Sequence, residues 1–209
     1  MKKLNLAFLF LATLFLATSC EETTVSEIAP ASGNGITSLS SIKELIVFQY
    51  DFQNEATGER RGFIIDKHGA LKSYAIENGR QGSKLPVGGS WTEEQISFLY
   101  NLSQTVVTIG EEEMLKYYNL SRKVYSFSLS PRTEVAGTDT FALFSFYKYK
   151  RVAEEQGGCG SAGAHSNEAT AEYTVNVLDM EGAYLQENTA EGAKEITDWL
   201  KGLQVEAGL

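Results

Sequence analysis

The stretch "RRGFIIDKHGALKSYAI", Arg60–Ile76, decides the fold class. Two apolar runs flank Asp66-Lys67-His68-Gly69, residue types that tolerate the unusual dihedrals of a tight turn. The stretch reads as a hairpin, with His68 a solvated residue at its tip. Upstream, "ELIVFQYDF" alternates, placing Ile46, Phe48, Tyr50 and Phe52 on one face and Leu45, Val47, Gln49 and Asp51 on the other. Downstream, "KVYSFSL" puts Tyr125, Phe127 and Leu129 on one side, and "FALFSFYKYK" (Phe141–Lys150) is a longer strand of the same kind. "AEYTVNVLD" turns Ala171, Tyr173, Val175 and Val177 inward, and a turn at Met180-Glu181-Gly182 leads into "AYLQE" as a further hairpin.

Helical periodicity separates these runs. Thr92 and Gln95 have the spacing of a capping box, with Trp91 placed to staple onto Ile96. Leu99, Leu102, Val106 and Ile109 continue at helical spacing until Gly110 breaks it. A second helix begins at Glu111-Glu112-Glu113, where acids suit a helix N-terminus. Asn188 with Glu191 predicts the cap of a last helix, whose Ala193, Ile196, Leu200 and Leu203 form one stripe bordered by Trp199. Strands grouped in runs predict an α+β fold: an antiparallel sheet of about five to seven strands, with about three helices packed on one face.

The N-terminus sets the compartment. "MKKLNLAFLFLATLFLATSC" has two lysines, an apolar run from Leu6 to Ala17 and small residues at its end, the anatomy of a secretory signal. Leu16-Ala17-Thr18-Ser19-Cys20 resembles the lipobox of bacterial lipoproteins, which implies cleavage before Cys20 and acylation of that cysteine. Glu21 and Glu22 behind it resemble the surface-export signals of Bacteroidota lipoproteins. The expected organisation is a signal peptide over 1–19, a lipidated cysteine and polar tether over 20–40, and one domain over 41–209. The expected location is the cell envelope, anchored to the outer membrane through the lipid.

Charge and cysteine content narrow the chemistry. Removing residues 1–19 takes two lysines and no acid, leaving 16 Lys+Arg against 27 Asp+Glu and a formal charge of −11. A field of that sign disfavours nucleic acid as a partner. With Cys20 acylated, Cys159 stands alone and no intrachain disulfide is expected. It lies in "QGGCGSAGAHSN" (Gln156–Asn167), whose Gly158, Gly160 and Gly163 spell a G-x-G-x-x-G; the residues after it read as strand, not as the start of a helix, so dinucleotide binding is not expected.

Cys159 and His165 are the weak catalytic candidates, a thiol with a nearby base. A metal there would need further ligands from His68, Glu154, Glu155 or Glu168, and neither metal nor cofactor is expected. For ligand contact the sequence offers Arg80 and Lys84 in the glycine-rich loop 77–90, the adjoining Trp91, and Tyr147 and Tyr149 in "FYKYKR". The expected function is a lipid-anchored, non-catalytic binding or interaction module for a protein, peptide or glycan. The alternatives are a thiol- or metal-dependent enzyme or sensor at Cys159 and His165, and a structural accessory subunit of an envelope complex.

Overall fold

The computed structural model describes residues 35–77, 85–152 and 170–208. Within them the chain forms nine strands and three α-helices: β1 Ile46–Asn54, β2 Glu59–Asp66, β3 Ala70–Ile76, β4 Gly89–Thr92, α1 Glu93–Leu102, β5 Gln104–Thr108, α2 Glu111–Ser121, β6 Thr133–Glu134, β7 Thr140–Val152, β8 Thr170–Gly182, β9 Tyr184–Glu187 and α3 Ala193–Glu206. The sheet runs β5-β3-β2-β1-β7-β8-β9-β6, with β4 also paired to β8. Every pairing is antiparallel, so the chain has the α+β fold read from its hairpins. The strand number exceeds the expected one because β4, β5 and β6 are too short to show alternation. No helix among the described residues is long and apolar enough to cross a membrane.

The helices divide between the two faces instead of sharing one. Phe48, Tyr50, Phe63, Ile65, Phe144 and Phe146 meet Met114 and Tyr118 of α2 and Ile196, Leu200 and Leu203 of α3. On the opposite face Ile64, Tyr74, Trp91, Tyr147 and Tyr173 meet Ile96 and Leu99 of α1. The cause is β5. Helical spacing through Val106 and Ile109 predicts a continuous helix, but α1 ends at Leu102, where Ser103 folds its hydroxyl back onto the Leu99 carbonyl at 2.6 Å. The next five residues, rich in β-branched side chains, pair with β3. They carry the chain around the sheet edge, so α2 starts on the other side.

Two further expectations are corrected. "KVYSFSL" is not a strand; Ser126–Ser128 form a 3-10 turn that leaves Phe127 71% exposed. Asn188 does not cap the last helix, whose cap is Gly192 at φ 85°. Its carboxamide instead donates to the carbonyls of Tyr125 at 2.9 Å and Val177 at 3.3 Å, filling the gap that β4 and β9 leave along the edge of β8. Ile36 exchanges two 2.9 Å hydrogen bonds with the Asn119 side chain on α2.

One irregularity positions the site. Opposite Phe144 and Ser145 of β7, the partners on β8 are Asp179 and Val177, so Leu178 is an inserted residue, a β-bulge. Tyr173, Val175 and Val177 face the α1 side. Strict alternation would send Asp179 and Glu181 the same way, but the extra residue turns them toward α3.

Candidate functional site

Helix α3 does not cover the whole sheet. Beyond its outer flank the face of β8 and β9 stays open, and the segment before β6 rises on the far side. The result is a cleft of about 580 Å³, a size that takes a small organic ligand or a short piece of peptide. Its floor comes from Leu178–Glu181 of β8 and Leu185–Asn188 at β9. One wall is α3, through Lys194, Thr197, Asp198 and Lys201; the other is Ser130, Pro131 and Thr133. Ser130 ties the second wall to the floor. Its carbonyl accepts from Gln186 Nε2 at 3.0 Å, and its hydroxyl accepts from the Glu187 N–H at 3.0 Å.

Charge dominates the lining, with four carboxylates (Asp179, Glu181, Glu187 and Asp198) against two ammonium groups. Lys201 Nζ reaches Asp179 Oδ2 at 2.9 Å and Glu181 Oε1 at 2.5 Å, fastening α3 to β8. Lys194 is held by both oxygens of Asp198, one turn on, at 2.7 and 2.9 Å. Glu187 is exposed and has no charged partner among the described residues. It stands directly across the β8–β9 ladder from Asp179, whose own carboxylate is taken up by Lys201.

Titration follows from that geometry. Burial pushes the Asp179 carboxyl above its ordinary range; Lys201 works against this, and the Glu181 charge adds to it. Lys201 is itself raised, because its bonds to Glu181 and Asp179 outweigh the burial that opposes them. The two shifts are compatible: one ammonium shared by two carboxylates does not fully repay the more buried of them. Among the described residues no three His, Cys, Asp or Glu side chains come together to hold a metal ion.

The opposite face holds a second polar cluster, closed to solvent. Asp51 and Arg60 pair through Nε–Oδ1 at 2.9 Å and Nη2–Oδ2 at 2.7 Å, with side chains 0% and 4% exposed. Tyr74 and Gln53 each donate to Asp51 at 2.7 Å, and Arg60 Nη1 donates to the Leu85 carbonyl at 2.9 Å. Gln49 donates to the Tyr74 hydroxyl at 2.8 Å and accepts from Tyr147 at 2.5 Å. Buried at Asp51, Arg60, Gln49 and Tyr74, this network ties β1, β2, β3 and β7 together within the core.

Of the residues the sequence offered, Trp91 and Tyr147 are each 1% exposed, their rings packed edge to face at 5.8 Å. They belong to the core, not to a recognition surface. Tyr149 is half-buried against Tyr173, centroids 5.2 Å apart, and its backbone N–H donates to Glu44. Arg80, Lys84, Cys159, His165 and Cys20 lie outside the described residues. His68 is exposed at its turn, where Asp66 Oδ1 accepts from its backbone N–H. The cleft residues carried no motif in the sequence. The one signal was the run of charges Asp179, Glu181 and Glu187 flanking the last hairpin.

Compared with protein-family models, with curated proteins and with solved structures, the chain finds no match.

Proposed function

We propose that the chain is a lipid-anchored extracytoplasmic binding module with no catalysis of its own, and that its ligand seats in the cleft between α3 and β8–β9. The observation that carries this reading is the cleft itself: a concave, charged hollow on a rigid sheet, walled by a helix that two ion pairs hold in place. The lipobox-like Leu16–Cys20 segment supports the anchoring, and the acidic tether behind it supports placement away from the cytoplasm.

Hydrogen–deuterium exchange of the mature chain in detergent tests the site. A fragment set spanning cations, anions and neutral molecules is expected to yield ligands that protect peptides covering residues 178–201. Leu185→Trp, which fills the cleft from an exposed position, is expected to remove that protection without shifting the unfolding midpoint. Protection that maps elsewhere and survives Leu185→Trp removes the cleft from the function.

A further inference from the structure

Resting on the reading of this cleft as the binding site, we propose that it selects an organic cation: a primary ammonium on an apolar stem, the form a lysine side chain presents. The two lysines in the lining are already engaged, Lys201 by Asp179 and Glu181, Lys194 by Asp198. What remains for a ligand is negative. Glu187 has no charged partner among the described residues, and it faces Asp179 across the ladder. A cation placed against Glu187 meets the one lining carboxylate that no ammonium among the described residues already holds. An anion placed there sets a second negative charge beside Glu187.

The apolar part of the ligand is specified by the same strand. Leu185 lies two residues before Glu187, on the same face of β9, and is 48% exposed within the cleft. Positions two apart along a strand are separated by roughly 6.5–7 Å, about the reach of a short alkyl chain ending in an ammonium. Pro131 and Thr133 stand beside Leu185 on the opposite wall, and Thr133 is its partner in the β6–β9 ladder. A stem lying over Leu185 therefore delivers its head to Glu187. The pattern favours an organic cation over a bare metal ion, since among the described residues no three carboxylates converge and the apolar lip would be idle.

Hexylammonium, 1-hexanol and hexanoate share a stem and differ in head-group charge, so they serve as probes. Titrated into the mature chain in detergent, hexylammonium is expected to bind in the millimolar range, several-fold tighter than hexanol, with hexanoate weakest. Glu187→Gln is expected to weaken hexylammonium about threefold, the scale of one partly exposed ion pair, and Glu187→Lys to erase the preference. Both changes sit at an exposed position, and an unaltered unfolding midpoint is expected for each variant. If hexanol or hexanoate binds as well as hexylammonium while protecting residues 178–201, the charge selection is wrong and the cleft stands. If hexylammonium binds but protects other segments and ignores Glu187→Lys, the cleft reading fails with it. Absence of hexylammonium binding overturns the proposal outright.

Discussion

Asp51 is sealed from solvent yet ionic, and the side chains around it explain how the fold tolerates it. Its two oxygens accept from Arg60 twice, from Tyr74 and from Gln53, so no lone pair is left facing hydrocarbon. Asp51→Ala or Arg60→Met strands one charge in the core and is expected to cost about 3–5 kcal/mol. The double change to Leu and Met removes both charges and is expected to recover much of that loss. Urea unfolding of the three variants checks it; a single change costing under about 1 kcal/mol would show water reaching the pair. None of this was legible from sequence. Asp51 falls on the second face of β1, where a charged residue reads as solvated, and its pairing with Arg60 depends on strand register. Gln49 was similarly opaque, because its two bonds go to tyrosines 25 and 98 residues away.

Among the elements, those with a local signature were readable and those set by their neighbours were not. Thr92 and Gln95 form both halves of the expected capping box, at 3.3 and 2.9 Å, because a box is a contract between residues three apart. The β2–β3 turn and the β8–β9 hairpin were readable for the same reason. The strand β5 was not, since its valines satisfy helical and extended spacing equally and pairing with β3 decides between them. Nor was the bulge at Leu178, which puts Asp179 under α3 and so creates the cleft.

That junction has a pH signature. Asp179 holds its proton more tightly in the folded chain than in the unfolded one, where a carboxyl titrates near ~3.9. Its contribution to stability is therefore present below the unfolded value and lost as pH rises through the raised folded value. Asp179→Asn is expected to flatten that part of the stability–pH curve and to leave the chain at least as stable at neutral pH. Thermal and urea midpoints across the acid range test this; a loss above about 1 kcal/mol at neutral pH would mean that the Lys201 bond outweighs the burial.

At the scale of the molecule, stability is graded along the sheet. β7 pairs with β8 from Phe141 to Val152 and with β1 across seven positions, while β5, β6 and β9 hold to the sheet by a few residues each. Amide exchange under native conditions is expected to be slowest in β1, β2 and the Phe141–Tyr147 part of β7, and faster in β5 and β6. Equal protection across all nine strands would mean the sheet opens only as one unit. The α+β class was legible at this scale because it depends on the order of runs. The distribution of helices over two faces was not, because it turns on five residues at one edge.

The central place of β1 has a consequence for the order in which the chain acquires its shape. β1, β2 and β3 are contiguous and can form a meander as soon as they are made, but the other edge of β1 waits for β7, whose partner residues begin at Thr140. Until then nascent β1 presents Phe48, Tyr50 and Phe52 beside a row of unpaired amides, the kind of edge on which chains add to one another. The Trp199 ring that finally lies against Phe48 arrives with the last helix. A polypeptide so arranged is exposed to misassembly for as long as β1 waits for β7, and the hazard is set by strand order alone.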